Sequence, residues 1–471
     1  MQFNSIDFLV FLPVVFLLYQ ACRSRHTQNA VIVLSSYFFY GCWDPRFLGL
    51  ITFTTLCSYL CGLALDRQGC GRRSRRALLT ANIVVNMGIL AVFKYYNFFM
   101  PGLVELLGHF GWRLDCATVR VLLPVGISFY TFQAVGYTID VYRRDIRAER
   151  GLVTFFAFIS FFPQLVAGPV ERAHNMLPQF HAKRSFDYAA AVDGMRQMLW
   201  GFFKKLVIAD KCAFTTDTVF NDPSSWNSPT LVYALVLFAF QVYADFSGYS
   251  DIAIGSAKLF GIRLTRNFNY PYFATSIAEF WRRWHISMMT WLRDYVYIPL
   301  GGSRRGKARR ALNVLIIFLI SGIWHGGGWC FIVWGVYNAV VMTPRVLLGV
   351  KERAVEAMSA VEVVARRLWT FVLFMVGLLF IRSDTVPEAL GYLTGIFTHG
   401  GTRLLLIDAI AVGFIVVMML TEYWRRRCEH GLQIGSGVIK SAAVRVLIYF
   451  LMMICIFWQG GHSTQFIYFQ F

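Results

Sequence analysis

Long hydrophobic stretches alternate with short polar segments along the whole chain, and many of them are long enough to cross a bilayer. A membrane-spanning helix needs about 20 consecutive apolar residues. The clearest stretches lie near residues 46 to 65, 77 to 100, 230 to 248, 330 to 349, 403 to 422 and 444 to 459, and shorter ones lie near 6 to 22, 30 to 43, 120 to 141, 152 to 170, 311 to 329 and 368 to 382. The pattern predicts an all-α, polytopic integral membrane protein with about 11 or 12 transmembrane helices. Short re-entrant and interfacial helices complete the predicted fold, and residues 1–471 are expected to form a single membrane domain because no Pro- or Ser-rich linker divides them.

The composition also favours a membrane protein. Of the 471 residues, 57% are hydrophobic and 15% are charged, whereas a soluble globular domain carries about 25% charged residues. The 44 Phe and 13 Trp residues suit lipid-facing and interfacial positions. A chain so rich in large apolar side chains is neither disordered nor collagen-like.

Much of the positive charge lies in short clusters between the apolar stretches. The formal net charge is +19, but the cations are confined to loops rather than gathered on one face, so nucleic acid is excluded as a partner. Cytoplasmic loops collect Lys and Arg. Because an even number of predicted spans separates most neighbouring clusters, we place the clusters in the cytoplasm and the amino terminus outside. The clusters are Arg23 and Arg25; Arg67, Arg72, Arg73, Arg75 and Arg76; Arg143, Arg144, Arg147 and Arg150; Arg304, Arg305, Lys307, Arg309 and Arg310; Lys351, Arg353, Arg366 and Arg367; and Arg425, Arg426 and Arg427.

A histidine interrupts the apolar stretch that begins at Ala311. Within residues 321–329, His325 is followed directly by three glycines. An ionisable residue at membrane depth indicates a functional site, since removing it from water costs free energy that packing alone does not require. The glycines let the helix end or bend and let another molecule approach the backbone closely. The alternative is a histidine hydrogen-bonded between helices, and the glycines favour the functional interpretation.

A second histidine borders a predicted amphipathic helix. Ser276 and Glu279 form a capping-box signature, and Pro299 marks the expected end of this helix. His285 lies beside its apolar stripe. From these residues alone, an interfacial helix is favoured over a catalytic role for His285. The stripe consists of Ile277, Trp281, Trp284, Met288, Trp291 and Tyr295.

Two other segments place polar groups at the ends or breaks of apolar helices. Asp245 and Asp251 end a strongly hydrophobic helix and could act as acid and base, but capping and neutralisation of arginines are equally consistent, so we interpret them as structural support. Residues 124–133 break another span with Pro and Gly and include Tyr130 and Gln133. This segment lines a cavity or forms a kinked packing helix.

Several kinds of site are not indicated. The 10 Cys are scattered without metal-ligand spacing, so we predict neither a disulfide framework nor a metal. Residues 301–307 match GxxxxGK, but Ala308 stands where a phosphate-binding loop needs Ser or Thr for magnesium. The chain lacks the GxSxG motif of serine hydrolases. No residues are assigned to cofactor binding.

Several motifs together carry a resemblance to a known family. They are FFPQLVAGPVER at 161–172, DFSGYSD at 245–251, FWRRWHIS at 280–287, WLRDY at 291–295, YIPLGG at 297–302, WHG at 324–326 and FIYFQF at 466–471. This set resembles the membrane-bound O-acyltransferase (MBOAT) family, and within it the bacterial branch of alginate O-acetyltransferase membrane subunits. The resemblance covers nearly the whole chain.

The resemblance implies roles for the two histidines. His325 would be the catalytic histidine and His285 the second polar residue, on opposite sides of a tunnel through a thinned bundle. An imidazole, with an ordinary pKa of about 6.5, suits a base that removes a proton from a hydroxyl near neutral pH. His325 would accept the hydroxyl proton, and His285 would orient or polarise a reacting group. The candidate substrate-contacting residues are Trp324, Trp284, Gln133, Tyr130 and Asp251.

The resemblance also implies an acyl donor and partners. The expected donor is acetyl-CoA from the cytoplasm, although the arginines between 304 and 310 are explained by topology without a ligand. The acetyl group would pass across a bacterial inner membrane to a polysaccharide, through a periplasmic SGNH-type acetyltransferase partner. The acceptor stays open between alginate, cellulose, another exopolymer and peptidoglycan.

Two competing functions follow from the same features. Among enzymatic functions, the alternative is D-alanyl transfer to teichoic acid. The resemblance of the whole chain to alginate-type members weighs against this alternative. From a different class, a polysaccharide-related transporter would also have broken helices and histidines at membrane depth. A transporter would be expected to show paired interrupted segments in two halves, which the sequence does not show.

Overall fold

Apolar side chains at helical spacing produce helices along almost all of the chain. The computed structural model describes residues 1–111, 121–166, 168–350, 352–398, 403–435, 437–459, 464, 466 and 467. Within these ranges the secondary structure is helical, apart from one isolated bridge between Trp226 and Arg403. The all-α prediction is therefore confirmed. Lys351 of the basic clusters, residue 167 of the first family motif and residues 468–471 of the last one lie outside the described residues.

Seven described helices are long and apolar enough to cross a membrane. Two shorter apolar helices, Ile6–Ala21 and Ala409–Trp424, accompany them. Other predicted spans form shorter pieces, and the stretch near 152 to 170 divides into Leu152–Ser160 and Phe162–Leu165. The seven are Phe47–Asp66, Arg72–His109, Ser228–Leu259, Gly306–His325, Trp329–Leu348, Ala360–Arg382 and Ala442–Gln459. The chain is therefore built as a multi-pass membrane protein.

The chain divides into two compact units. The first unit comprises Met1–Phe186, Phe260–Leu264 and Gly326–Gly328. Phenylalanines dominate its core, where the ring of Phe162 packs edge-on against Phe11 and Phe260 with centroids 5.2 and 5.7 Å away. Its helices are α1 (Ile6–Ala21), α2 (Arg25–Gly41), α3 (Phe47–Asp66), α4 (Arg72–His109), α5 (Ile127–Arg143), α6 (Leu152–Ser160), α7 (Phe162–Leu165) and α8 (Ala173–His181).

The second unit holds the remaining described residues, within Asp187–Leu259, Thr265–His325 and Trp329–Phe471. Its helices are α9 (Tyr188–Phe202), α10 (Asp210–Phe220), α11 (Ser228–Leu259), α12 (Ile277–Arg283), α13 (Ile286–Leu292), α14 (Gly306–His325), α15 (Trp329–Leu348), α16 (Ala360–Arg382), α17 (Val386–Thr398), α18 (Ala409–Trp424) and α19 (Ala442–Gln459). Two π-helical turns, Phe203–Ala209 and Arg293–Tyr297, continue α9 and α13. The prediction of a single domain stays a prediction.

Paired glycines bring α9 and α11 into close contact. A Cβ atom added to Gly201 would lie 2.5 Å from the carbonyl oxygen of Gly248, and one added to Gly194 would lie 2.5 Å from that of Gly255. Only glycine permits this approach, which is a common device for packing helices in membranes. The contact positions α11, the central and mostly buried helix of the second unit.

The helix predicted from Ser276 to Pro299 is wrong as a continuous element. Its beginning is confirmed, because the Ser276 hydroxyl accepts a hydrogen bond from the Glu279 backbone N–H at 3.2 Å. The chain then breaks between α12 and α13 at His285, which adopts a left-handed conformation with φ of 44°. The loop before α12 stabilises this break. The backbone N–H of Ile286 donates to the carbonyl of Asn267 at 2.9 Å, so a tertiary contact replaces the helical bond.

Candidate active site

His325 is the last residue of α14. Three glycines follow it, and glycine has low helix propensity, so the helix ends at this position. The imidazole packs edge-on against the indole of Trp334 in α15, with ring centroids 5.0 Å apart. Gly335 makes this contact possible, since a Cβ atom there would lie 2.5 Å from the carbonyl oxygen of Phe318 in α14. His325 is buried, with 9% of its surface exposed.

His285 lies in the break between α12 and α13 and is fully buried. Its Nδ1 atom is 3.0 Å from the side-chain oxygen of Asn267. The ring of Phe246 from α11 meets the imidazole edge-on at a centroid distance of 4.7 Å. These contacts fix both the position and the plane of the ring.

Trp324 connects the two histidines. Its indole lies 4.9 Å from the His325 ring and 5.8 Å from the His285 ring, measured between centroids. Trp324 is itself buried, with 4% exposure. The structure therefore brings together three of the residues that the sequence selected, although they come from two separate segments of the chain.

Trp284 and Asp251 lie in the same unit but have different surroundings. Trp284 belongs to an aromatic cluster, where it packs against Phe268 at 5.1 Å and Phe374 at 5.0 Å. Asp251 forms a 2.6 Å ion pair with Lys204. Asp251 also accepts a hydrogen bond from Gln197 at 2.8 Å. The prediction that Asp245 and Asp251 end their helix is wrong, because α11 continues to Leu259, and the role of Asp251 stays a prediction.

A small cavity of about 20 Å³ lies beside Asp251 and Lys204. Its wall includes Asn267, the same residue that holds His285. A buried carboxylate, Glu422 of α18, also lines it and accepts a hydrogen bond from Tyr243 at 2.9 Å. The cavity thus borders the group that positions His285.

Tyr130 and Gln133 belong to α5 in the first unit and are both buried. The side-chain amide of Gln133 donates to the carbonyl of Phe158 at 2.8 Å, as does that of Gln164. This contact is typical of a packed helix. The grouping of Tyr130 and Gln133 with the two histidines stays a prediction.

Sequence reasoning missed three residues that shape the site: Asn267, Phe246 and Trp334. Asn267 lies between helices, where no periodic pattern marks it, and its polar neighbours Thr265, Arg266 and Asn269 leave it without a distinguishing signal. Phe246 and Trp334 belong to apolar helices and resemble core residues in sequence. Within the described ranges no group of three or more His, Cys, Asp or Glu side chains is arranged to hold a metal ion.

Comparison with known proteins defines the class. A model of the membrane-bound O-acyltransferase family matches residues 143–350, a range that contains both histidines. The probable alginate O-acetylase AlgI of Azotobacter vinelandii is 39% identical over 406 residues, which are 85% of this chain and 79% of the relative. The peptidoglycan O-acetyltransferase of Helicobacter pylori is 31% identical over 482 residues, covering 96% of this chain and 89% of the relative.

A teichoic acid D-alanyltransferase of Bacillus subtilis matches less of the chain. It is 30% identical over 230 residues, which are 46% of this chain and 58% of the relative. Together with the helical membrane fold, these likenesses define a polytopic membrane acyltransferase. The chain belongs to the membrane-bound O-acyltransferase family.

Proposed function

We propose that this protein is an O-acetyltransferase that moves an acetyl group from cytoplasmic acetyl-CoA to an extracytoplasmic polysaccharide. The observation that carries the proposal is the pair of buried imidazoles, His285 and His325, held against one indole in an acyltransferase fold. The names of two relatives that span most of the chain, an alginate O-acetylase and a peptidoglycan O-acetyltransferase, support acetyl as the group transferred.

His325 acts as the general base in this mechanism. It removes the proton of the acceptor hydroxyl, whose oxygen attacks the carbonyl carbon of the acetyl thioester. The carbon–sulfur bond then breaks, and the coenzyme A thiolate leaves and takes the proton from the imidazolium. His285 assists by holding a reacting group in the geometry for attack, which contributes by removing orientational freedom.

The acceptor stands on the far side of the membrane from the donor. We propose a location in the bacterial inner membrane, surrounded by lipid, and transfer to the polymer through a periplasmic SGNH-type acetyltransferase. The relatives support both alginate and peptidoglycan as acceptors. Acetyl-CoA is a substrate in this scheme, and no metal takes part.

D-alanyl transfer to teichoic acid is the second candidate, supported by the relative from Bacillus subtilis. That relative aligns with 46% of the chain, whereas the alginate O-acetylase aligns with 85%. The longer alignment favours acetyl transfer. A polysaccharide transporter is the candidate from another class.

Acetyl transfer in isolated membranes tests the proposal. The membranes contain either the wild type or His325→Ala, and they are supplied with radiolabelled acetyl-CoA and the polymer of the same cells. The variant should lose transfer by about 10²- to 10⁴-fold, the contribution of a positioned base. The matched control is His109→Ala, at an exposed histidine at the end of α4. Both variants are first checked for normal protein level and a monodisperse peak in detergent.

Several results would overturn the proposal. Full acetyl transfer by His325→Ala would show that His325 is not the general base. Labelling from a D-alanyl carrier protein but not from acetyl-CoA would favour the second candidate. Lost polymer export with intact acetylation would favour a transporter.

A further inference from the structure

Asn267 holds the turn at His285 and Ser287 through three contacts at one side-chain oxygen atom. The Oδ1 atom of Asn267 lies 3.0 Å from Nδ1 of His285, 2.9 Å from the Ser287 hydroxyl and 3.4 Å from the Ser287 backbone nitrogen. All three residues are buried. The Asn267 backbone carbonyl also accepts from the N–H of Ile286 at 2.9 Å. One residue therefore supports the whole turn around His285.

The orientation of the Asn267 amide follows from its neighbours. A backbone N–H can only donate, so the side-chain atom facing the Ser287 nitrogen is the carbonyl oxygen and not the amide nitrogen. At the other end, the Nδ2 group donates to the Ser250 hydroxyl at 3.3 Å. The contacts at both ends of the Asn267 side chain are consistent with this orientation, so Oδ1 is the atom that faces the imidazole.

This orientation determines where the proton of His285 lies. Since a carbonyl oxygen has no hydrogen to give, the Nδ1 atom must carry the proton and donate it. In the neutral ring, Nε2 then holds the lone pair. The Phe246 ring, edge-on at 4.7 Å, and the Phe268 ring, nearly parallel at 6.5 Å, restrict rotation that would exchange the two nitrogens.

We infer that Asn267 is a positioning residue that fixes His285 in the Nδ1-protonated tautomer, so that Nε2 serves as a hydrogen-bond acceptor in the reaction. The catalytic part of this inference rests on the proposed function, whereas the tautomer of His285 does not. A neutral ring in this tautomer orients a hydroxyl or thiol by accepting its hydrogen. It does not polarise the thioester carbonyl, because that task requires an N–H donor. The sequence left open whether His285 orients or polarises a reacting group, and the geometry favours orientation.

Nuclear magnetic resonance gives a test that does not depend on activity. The full-length protein is labelled with ¹⁵N-histidine in lipid, and the spectrum of His285→Asn is subtracted to isolate the His285 signals. We expect the Nδ1 signal of a protonated nitrogen and the Nε2 signal of an unprotonated one. A protonated Nε2 with a bare Nδ1 would overturn the inference, whatever the enzyme is found to transfer.

Kinetics of two Asn267 variants give the second test. Asn267→Leu removes the acceptor at similar volume, and Asn267→Asp keeps an oxygen at the same place. We expect Asn267→Leu to lower kcat by about 10- to 100-fold, the range seen when the partner that orients a ligating histidine is removed. KM for acetyl-CoA should change little, and Asn267→Asp should retain more activity than Asn267→Leu.

The matched control is Asn313→Leu. Asn313 is equally buried, and its amide donates to the carbonyl of Gly302 at 2.9 Å. It should lower thermal stability without changing kcat of the folded fraction. If Asn267→Leu lost only stability, as the control does, or if its His285 tautomer matched the wild type, the inference would be wrong. An inactive wild type with the expected tautomer would refute the proposed function instead.

Discussion

The indole of Trp324 packs against the imidazole of His285 with ring centroids 5.8 Å apart. Trp324 is also the immediate neighbour of His325 and touches its ring at 4.9 Å. One rigid side chain therefore separates the two imidazoles and determines how far apart they lie. A tryptophan suits this role because its large ring has few rotatable bonds and a broad contact area.

Replacement of Trp324 should disturb catalysis more than folding. We expect Trp324→Ala to lower acetyl transfer by about 10²-fold, since a displacement of about 1 Å at a reacting group has an effect of this size. Trp324→Phe should be milder, because it keeps an aromatic ring between the histidines. Initial rates with labelled acetyl-CoA, normalised to folded protein, measure both effects.

The control for Trp324 is Trp369→Ala in α16. The Trp369 side chain is 64% exposed and faces the surroundings of the protein rather than its core. It should leave the rate within about twofold of the wild type, as substitutions at exposed positions usually have small effects. Equal losses in the two variants would show that the rate reports general damage and not the position of Trp324.

Much of this arrangement follows from local sequence. Continuous apolar stretches of about 20 residues predict the spans, and the Ser276 cap lies where the capping-box pattern places it. The selection of His325 relies on a polar residue and glycines in an apolar stretch, and the structure ends α14 at that residue. These signals depend on residues close together in the sequence.

The break at His285 could not be predicted in the same way. Residues 276–299 have an uninterrupted helical pattern, and the hydrogen bonds that divide it come from Asn267 and Asn269 in the preceding loop. A periodic pattern contains no information on such tertiary partners. For the same reason the sequence did not reveal that Phe246, from α11, lies against His285.

Packing of α9 against α11 should depend on Gly201. A Cβ atom there would lie 2.5 Å from the Gly248 carbonyl oxygen, so Gly201→Ala must push the helices apart. Overpacking of this kind costs about 1–3 kcal/mol. Gly413→Ala in α18 is the matched control, since a Cβ atom at Gly413 would meet nothing within 4 Å. Thermal unfolding in detergent should show a lower midpoint for Gly201→Ala alone, and similar midpoints for both variants would contradict the packing argument.

A buried lysine should be essential for the stability of the second unit. Lys205 is fully buried, with its ammonium 2.8 Å from Asp245 and 2.9 Å from Asp210. Lys205→Met would leave two carboxylates without their counter-charge, and removal of one partner from a buried pair costs about 3–5 kcal/mol. The thermal midpoint or the yield of folded protein measures the loss.

Two comparisons make the Lys205 prediction specific. Lys211→Met removes a partly exposed partner of Asp408, 3.2 Å away, and should cost about 0–1 kcal/mol. The triple variant Lys205→Met, Asp210→Asn, Asp245→Asn should recover part of the loss, because no unpaired charge remains. If the triple variant were less stable than Lys205→Met, uncompensated charge would not be the cause.

Asp193 in α9, outside the candidate membrane-spanning helices, should make stability depend on pH. Burial alone would raise the pKa of this carboxyl, but hydrogen bonds from His430 at 3.1 Å and Lys258 at 2.6 Å outweigh it and hold the pKa below its ordinary value. A carboxyl with a depressed pKa in the folded state stabilises that state above its unfolded pKa of about 3.9. This contribution is lost as the pH falls through the folded pKa.

The variant Asp193→Asn isolates that contribution. At pH 7 it should lower the free energy of unfolding by about 1–3 kcal/mol, the range for removing a partner from a charged hydrogen bond. The difference from the wild type should shrink as the pH falls below about 3.9, since the unfolded wild-type carboxyl then binds a proton that the folded one still excludes, and it should vanish below the folded pKa. Asp217→Asn, at a side chain that is 53% exposed, should have a small effect at both pH values. Denaturant titrations at pH 7 and at the lowest pH where the wild type stays folded measure these differences, and a gap for Asp193→Asn that stayed constant with pH would show that its ion pairs do not stabilise the fold.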